Sequence, residues 1–441
     1  MGSTLRLIYR ALGPVACAGC ALATARSRAA DGTSVVGLQQ VSHGARHDRR
    51  PAPALLRTVA APPTPSAVVV DAPTRRVFVF GSTANDSRVG VLDAATGRPL
   101  RTTDLGRQTF VPTSGGGPVA VADPRTGQVF VPVSRGPYAT GLPSGPGTVL
   151  VLDGRTGAVR HVIPVGYAPQ AVGIDARTQR VFVCNGVRAD AYGAAVGDYT
   201  LGVLDAGSGA VVRTVPHLGC AGLAVDEQTG RAFALGSDVL VLDAATGAVR
   251  SRVSLNPPGS QDAQGATDIA VDERAGRVLV GLSDSLGLTD GRLLDATTGR
   301  IVARAPDLGG PMAVDEGAGR AVAVGIPTSS TGGPIDVATV ATRTGRTIRV
   351  VTVGRSTAGG AAVAVAADPR THRAFVVAQV PPSAAPTPDV LTVLDTRTGL
   401  PLRALTLGTG PPAVAVDEQT GRAFVANAGD NTVSVLDTAR L

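Results

Sequence analysis

The 441-residue chain contains no tryptophan and no lysine, and it has only five tyrosines and eight phenylalanines. The absence of lysine excludes chemistry through a lysine Schiff base. The scarcity of aromatic side chains argues against a groove that stacks bases or sugars, since such sites rely on aromatic platforms. Apolar residues are mainly alanine, valine and leucine, and 56 glycines with 32 prolines favour many short strands and turns over long helices.

Sequence patterns of common catalytic sites are also missing. The chain has no Gly-x-Ser-x-Gly elbow and no phosphate-binding loop, and the glycine-rich segment 114–117 precedes a strand pattern rather than a helix. The five histidines lie in different predicted segments of the chain and are too scattered to form a catalytic cluster. The composition therefore favours a protein without catalytic activity.

The net charge of +7 is concentrated near the N-terminus. Residues 1–50 contain seven arginines and two aspartates, which leaves 34 arginines against 32 acidic residues in the rest of the chain. A surface that neutralises a nucleic-acid backbone normally shows a basic excess on the folded domain. Nucleic acid is therefore not an expected partner.

The first 25 residues resemble a secretory signal peptide. Arg6 and Arg10 precede a mildly apolar run, and small residues in an A-x-A pattern follow at 21–25. The run is too short to span a bilayer, and no other segment is long and apolar enough. We expect a signal peptide over 1–25, a flexible tether over 26–53 and an exported body over 54–441 that is secreted, periplasmic or at the cell surface, with Cys20 as a candidate for lipid attachment.

A repeat of two half-motifs occupies almost all of the body. The first half ends an apolar run at Asp and is followed by a turn, and the second half typically reads V-L-D-x-x-T-G. Successive units are 43 to 53 residues apart, which is the range of four-stranded propeller blades. The first half occurs eight times, with its aspartates at Asp71, Asp123, Asp175, Asp226, Asp272, Asp315, Asp368 and Asp417.

The two ends of the body are complementary. The eighth unit stops at Leu441 without its fourth strand, whereas the segment 54–59 before the first unit looks like a detached fourth strand. Pairing of this segment with 433–436 would close the ring and leave no open sheet edge. The sequence predicts an all-β fold consisting of one closed propeller with eight blades, and seven blades are the alternative.

Two repeated positions are expected to be structural. A large apolar residue, most often phenylalanine, stands seven positions after the first aspartate, as at Phe78 and Phe424, and predicts packing between blades. The aspartate itself can accept hydrogen bonds from turn amides, and glycine tolerates the left-handed backbone of such turns. The repeated aspartates are therefore weak candidates for metal binding or acid catalysis.

Any binding site is predicted on one face of the ring. The turns between the first and second strands, and between the third and fourth, are constant in length, whereas the loops on the opposite face vary and include insertions at 133–146, 185–198 and 379–389. Variable loops on a rigid scaffold commonly carry binding residues. Four of the five tyrosines lie in one sector of this variable face, namely Tyr138, Tyr167, Tyr192 and Tyr199.

The same sector contains two cysteines and a histidine. Cys184 and Cys220 are predicted to approach the variable face from neighbouring blades, with His217 close to Cys220 in sequence. Three interpretations stay open, namely a disulfide as in many exported proteins, two buried thiols, and a Cys/Cys/His metal site that needs a further ligand. Asp268 stands where other units have small or apolar residues, and we expect a solvated carboxylate, with a ligand-facing position as the alternative.

The last unit contains Pro412, Ala415-Val416-Asp417, Gly421, Val425-Ala426-Asn427 and the segment 431–437. With these elements it resembles the YVTN-type β-propeller repeat of YncE-like bacterial proteins. The resemblance implies an exported propeller that serves as a binding or interaction module. Wider relatives of this kind are similar to lactonases, streptogramin lyases and the haem-d1 domain of nitrite reductase, but no set of their catalytic residues maps onto this chain.

These observations lead to one expected function and one alternative. We expect an exported, monomeric, non-enzymatic propeller without a cofactor, which binds a protein, a cell-envelope component or a small ligand on its variable face. The alternative is a lactonase- or lyase-like enzyme with a divalent metal near the central axis, for which Asp268 is the first candidate ligand.

Overall fold

Short apolar runs broken by Asp and Gly form antiparallel strands throughout the computed structural model. The structure describes residues 54–83, 86–106, 108–109, 120–135, 145–189, 195–216, 219–220, 222–256, 265–284, 287–325, 332–356, 363–378, 390–410 and 412–441. These residues form 35 strands and a 3-10 helix at Thr438–Arg440. The propeller belongs to a unit that spans Ala52–Leu441. The predicted signal peptide, tether and Cys20 lie outside the described residues.

The first four blades follow the chain, and each sheet runs from an innermost to an outermost strand. Their strands are β2 (Pro65–Asp71), β3 (Arg76–Ser82), β4 (Ser87–Asp93) and β5 (Pro99–Gly106) in the first; β6 (Gln108–Thr109), β7 (Val121–Ala122), β8 (Gln128–Arg135), β9 (Pro146–Asp153) and β10 (Val159–Tyr167) in the second; β11 (Pro169–Asp175), β12 (Arg180–Asn185), β15 (Thr200–Asp205) and β16 (Val211–Pro216) in the third, with a small hairpin of β13 (Arg188–Ala189) and β14 (Ala195–Val196); and β17 (Gly222–Asp226), β18 (Arg231–Leu235), β19 (Asp238–Asp243) and β20 (Val249–Ser254) in the fourth.

The last four blades have the same plan. Their strands are β21 (Gly265–Asp272), β22 (Arg277–Ser283), β23 (Gly291–Asp295) and β24 (Ile301–Ala305) in the fifth; β25 (Met312–Asp315), β26 (Arg320–Gly325), β27 (Gly333–Ala341) and β28 (Thr347–Ser356) in the sixth; β29 (Val363–Asp368), β30 (Arg373–Ala378), β31 (Val390–Asp395) and β32 (Pro401–Thr406) in the seventh; and β33 (Pro412–Asp417), β34 (Arg422–Asn427), β35 (Thr432–Asp437) and β1 (Leu55–Ala60) in the eighth.

The innermost strands form a closed circle. Each contacts the innermost strands of both neighbouring blades, and β33 of the eighth blade contacts β2 of the first. The eighth blade takes its outer strand from the N-terminal end of the body, because β1 pairs antiparallel with β35, Val59 opposite Val433 and Leu55 opposite Leu436. The prediction of a single closed, eight-bladed propeller is therefore confirmed, and the alternative of seven blades is wrong.

The core lies between adjacent blades. The phenylalanines of the repeated position are buried completely, for example Phe78 and Phe424 at 0% exposure. Phe233 of the fourth blade packs with Ile269 and Val278 of the fifth, so the cluster spans two sheets. This arrangement agrees with the expected inter-blade packing role of the position, since aromatic rings bury large apolar areas.

The repeated aspartates shape the turns between the first and second strands. Asp417 Oδ1 accepts hydrogen bonds from the N–H groups of Gln419 at 2.9 Å and Thr420 at 3.4 Å. Four residues after the aspartate the backbone turns left-handed, and glycine holds this position in five blades, with a φ of 64° at Gly421. All eight aspartates are buried, as a turn-forming role requires.

Candidate functional site

The variable face is the end of the ring where the innermost strands begin and the second strands end. In the third blade, Pro169 at the start of β11 lies opposite Asn185 at the end of β12. The loop after Asn185 carries the hairpin of β13 and β14, in which Arg188 pairs with Val196. The third blade therefore raises an additional two-stranded ribbon on this face.

One predicted tyrosine contacts this ribbon, and another follows it in the chain. The exposed guanidinium of Arg188 lies over the ring of Tyr167, with Cζ 6.0 Å from the ring centroid. Tyr199, which follows β14, is 42% exposed. Tyr138 and Tyr192 lie outside the described residues. We call Tyr167, Arg188 and Tyr199 the third-blade patch.

The backbone around Tyr167 is closely fitted to the third blade. A Cβ at Gly166 would approach Asn185 Cβ to 2.7 Å, so a larger residue does not fit there without movement. Ala168 adopts a φ of 41°, a left-handed conformation that is unfavourable for alanine. The carbonyl of Ala168 accepts a hydrogen bond from the N–H of Gly186 at 3.1 Å. Strained residues held in this way occur often at functional sites.

The two cysteines connect the third and fourth blades. Cys184 at the end of β12 and Cys220 before β17 form a disulfide, with 5.4 Å between their Cα atoms, and both are buried. The sulfurs pack among apolar side chains of both blades, including Leu201 and Leu223. Sulfurs joined to each other are not available as thiolate metal ligands. His217 lies outside the described residues.

Asp268 is buried, and the expectation of a solvated carboxylate is wrong. Its side chain is on β21 of the fifth blade and is 4% exposed. Oδ1 accepts a hydrogen bond from the N–H of Ile269 at 2.7 Å, and Oδ2 accepts one from the N–H of Met312 in the sixth blade at 2.8 Å. Burial raises the pKa of Asp268 well above its usual value, although both hydrogen bonds oppose the shift.

The position of Asp268 gives this carboxylate a structural task. It satisfies a backbone N–H at the start of β25, while the neighbouring Thr267 Oγ1 accepts a hydrogen bond from Gly310 N at 3.0 Å. Adjacent side chains therefore tie the fifth blade to the entry of the sixth. Both Asp268 oxygens are already engaged, which does not favour Asp268 as a metal ligand.

The opposite face, which we call the turn face, carries acidic residues that the sequence interpretation missed. Glutamates after the repeated aspartates accept backbone N–H bonds from the preceding blade, with Glu227 bound by Ala176 N at 2.9 Å and Glu273 by Glu227 N at 2.8 Å. Glu316 accepts a third such bond, from Glu273 N at 3.1 Å. The sequence signal for these glutamates is the Asp-Glu pair that recurs in the fourth, fifth and sixth units.

Burial raises the pKa of Glu273 and Glu316, and neighbouring carboxylates add to the shift.

Among the described residues, no group of three His, Cys, Asp or Glu side chains is arranged to hold a metal ion. The same residues contain no helix that is long and apolar enough to cross a membrane.

Comparison with known proteins places the chain in a fold class. It is similar to BamB from Moraxella catarrhalis, with a TM-score of 0.51 and 17% sequence identity over 86% of this chain and 96% of that chain. It is also similar to hydrazine synthase of Kuenenia stuttgartiensis, with a TM-score of 0.48 and 15% identity over 76% of this chain and 99% of that chain. No family model and no curated protein sequence matches the chain. At these identities the likeness concerns the fold alone.

Proposed function

We propose that this propeller is an exported, non-enzymatic binding protein that recognises a protein partner through the third-blade patch. The observation that carries the proposal is the exposed Arg188, on the two-stranded ribbon of the third blade, with its Cζ 6.0 Å from the ring centroid of Tyr167. Tyrosine and arginine are enriched at the centres of protein interfaces, where they contribute much of the binding energy. The exposed ring of Tyr199 adds apolar area to the same loop.

The support under the patch favours a prearranged surface. The disulfide between Cys184 and Cys220 links the blade that carries the ribbon to the next blade. Gly166 and Ala168 hold the backbone of Tyr167 against the end of β12. A surface that is ordered before binding loses less conformational entropy in the complex. Membership of the YVTN-repeat, YncE-like group is part of this proposal.

The experiment compares the patch with a matched control. Purified chain carrying Tyr167→Ala and Arg188→Ala is used with wild type for cross-linking capture from envelope fractions, followed by affinity measurement on the captured partner. A second variant, Arg155→Ala with Arg397→Ala, removes two exposed arginines of the turn face and serves as the control. We expect the patch variant to bind about tenfold or more weakly, and the control to bind as wild type. Equal binding by all three proteins would contradict the proposal.

Export requires a separate measurement. We propose that the arginine-containing leader over 1–25 directs the chain out of the cytoplasm. Cell fractionation combined with mass spectrometry of the mature N-terminus should find the protein outside the cytoplasm with the leader removed. Cleavage before Cys20 with a lipid mass on that residue would establish the lipidated form, whereas a full-length cytoplasmic protein would contradict export.

A further inference from the structure

One turn position recurs around the ring and can reach the preceding blade. It is the left-handed residue four positions after each repeated aspartate. In the third blade this residue is Gln179, whose Nε2 donates to Asp123 Oδ2 of the second blade at 3.0 Å. In the seventh blade it is His372, whose Nδ1 lies 3.0 Å from Asp315 Oδ2 of the sixth. At two of the three positions where this residue is not glycine, its side chain thus hydrogen-bonds with the buried aspartate of the blade before.

This side chain is missing in the five blades where the residue is glycine, and Gly421, at the boundary between the seventh and eighth blades, is one of these glycines. A cleft of about 230 Å³ opens there on the turn face. Asp368, the aspartate of the seventh blade, lines the cleft with Thr371, Glu418, Gly421 and Thr438. Gly421 and Asp368 correspond to the pairs Gln179–Asp123 and His372–Asp315 at other blade boundaries. The cleft therefore lies where a side chain bonds the aspartate in those two pairs.

Several polar groups of the cleft lack partners among the described residues. Asp368 is 1% exposed, and its Oδ1 accepts from the N–H groups of Arg370 at 3.0 Å and Thr371 at 3.4 Å, while its Oδ2 has no donor there. Thr438 is completely buried, Thr371 is partly buried, and the buried Oγ1 atom of each makes no hydrogen bond among these residues. Buried polar groups normally find a partner, so such a group indicates a missing ligand or water.

Glu418 adds a second carboxylate without a backbone donor. Its counterparts Glu227, Glu273 and Glu316 each accept the N–H of the residue after the preceding aspartate. For Glu418 that residue is Pro369, which has no N–H. Glu418 is exposed as a whole residue, yet partial burial of its carboxyl raises the pKa of Glu418, and the neighbouring Asp368 adds to the shift while Arg370 opposes it.

Among the described residues that line the cleft, Arg370 is the one basic residue, and its side chain is already engaged. Arg370 Nη1 donates to the backbone carbonyls of Glu418 and Gln419 across the blade boundary. The carboxylates of Asp368 and Glu418 and the two buried hydroxyls of Thr371 and Thr438 therefore face the cleft without a cationic partner. Oxygen acceptors without donors, in a lining with an acidic excess, favour a positively charged group that carries N–H bonds.

We propose that the cleft between the seventh and eighth blades binds a small organic cation with N–H donors, such as a primary ammonium group. Its N–H groups donate to Asp368 Oδ2 and Glu418 and to the hydroxyl of Thr438. The ammonium donates to Asp368 in the same way as the Gln179 side-chain amide donates to Asp123. The cleft volume limits the ligand to a molecule smaller than typical drug-sized compounds.

The test measures thermal stability of the full chain in methylammonium chloride. Tetramethylammonium chloride at the same concentration is the control, because this cation has no N–H. With a Kd on the order of 1 to 10 mM, methylammonium at about ten times Kd should raise the Tm of the wild type by about 1 to 3 °C more than the control salt does. Asp368→Asn should lose this difference.

A second variant fills the cleft from within. Gly421→His copies the arrangement of His372, and a Cβ at Gly421 would meet only Thr438 Oγ1, at 3.6 Å. We expect Gly421→His to raise the Tm above that of Gly421→Ala and to abolish the methylammonium effect. Gly421→Ala, which has the same backbone cost but no donor, should still respond to methylammonium.

Three outcomes would overturn the proposal. One is an equal effect of the two salts on the wild type. Another is a methylammonium effect that persists in Gly421→His and in Asp368→Asn. The third is protection by calcium or sodium chloride that equals protection by methylammonium and disappears in Asp368→Asn, which would assign the cleft to a metal ion.

Discussion

The left-handed residue four positions after the repeated aspartate is not glycine in three blades, and two of these residues, Arg75 and His372, differ in what their side chains do. Arg75 has a φ of 55°, an exposed side chain and no side-chain hydrogen bond among the described residues. His372 has a φ of 53° and contacts Asp315. The free-energy cost of the left-handed backbone is therefore offset by a hydrogen bond at His372 but not at Arg75.

This contrast predicts opposite effects of the same substitution. Arg75→Gly should raise the free energy of unfolding by about 0.5 to 1 kcal/mol, because glycine adopts this conformation without strain. His372→Gly should lower it by about 1 kcal/mol, since the bond to Asp315 is lost. Urea denaturation measures both. A stabilising His372→Gly would show that the imidazole contributes nothing.

Asp268 provides a second test at the level of single residues. Asp268→Asn places an N–H₂ group against one of two backbone N–H donors, and we expect a loss of about 1 to 3 kcal/mol at pH 4. The raised pKa of Asp268 means that the wild type is most stable relative to this variant below about pH 4, the usual value, and loses that advantage as pH rises through the folded pKa.

Thr267→Val is the matched control for Asp268. Thr267 Oγ1 also accepts a hydrogen bond from the entry of the sixth blade, and its hydroxyl does not titrate in this range. Its loss should cost about 1 kcal/mol at every pH. A constant difference between wild type and Asp268→Asn from pH 4 to 8 would contradict the raised pKa.

The sequence singled out Asp268 but did not reveal its environment. Its neighbours in the chain could be read as a loop end, whereas its partner Met312 is 44 residues away in the next blade. Non-local partners decide whether a carboxylate is solvated or buried. The repeated aspartates were easier to interpret, because their partners are the amides of the adjacent turn, as between Asp417 and Gln419.

At the level of elements, the outer turns between the third and fourth strands depend on ionised aspartates. Burial alone would raise the pKa of Asp153, but hydrogen bonds from Arg160 and Thr156 lower it to about 2. At Asp243 the bond from Arg250, at 2.7 Å, and bonds from Thr246 likewise lower the pKa to about 2. These interactions exist only with the carboxylates ionised.

The lowered pKa values predict acid sensitivity of these turns. Their contribution is present above the unfolded pKa of about 3.9 and is lost as pH falls toward 2. Because the arginines are well exposed, each turn should contribute only about 1 kcal/mol. The double variant Asp153→Asn, Asp243→Asn should therefore be less stable than wild type at pH 6 and nearly equal at pH 2, as measured by urea denaturation.

The disulfide predicts a stability change at the junction of two blades. Cys184 and Cys220 are 36 residues apart, and removing such a cross-link by Cys184→Ala with Cys220→Ala should cost about 2 to 4 kcal/mol. Thiol counting on unfolded, unreduced mature chain should find neither cysteine reactive. Two reactive thiols there would contradict the disulfide and restore the interpretation of buried thiols.

The strands themselves were predictable, since period-two alternation and the Asp and Gly signals are local. The ribbon of β13 and β14 was not predicted, because two-residue strands carry too little alternation to be recognised. The contact of Arg188 with Tyr167 depends on that ribbon. Sequence thus indicated the sector through its tyrosines but missed the arginine.

At the level of the whole molecule, the number of blades could be predicted by counting the repeated sequence units. Each unit forms one blade, which cannot bury its faces alone and must stack on its neighbours. The count could be made since Asp71 and its seven counterparts keep one spacing to the buried apolar residue. The cleft beside Gly421 could not be inferred in this way. The cleft depends on Gly421 and Pro369, which are far apart in the sequence. They come together only where the seventh and eighth blades meet in the folded ring.

Ring closure gives the strongest test of the whole molecule. A chain that begins at Ala54 keeps β1, whereas one that begins at Ala61 lacks it. Without β1, the edge of β35 is exposed, and Leu436 loses the cover of Ala54, with which it shares a buried cluster. We expect the longer chain to match the mature protein in thermal unfolding. The shorter chain should unfold at a clearly lower temperature and aggregate through its open edge.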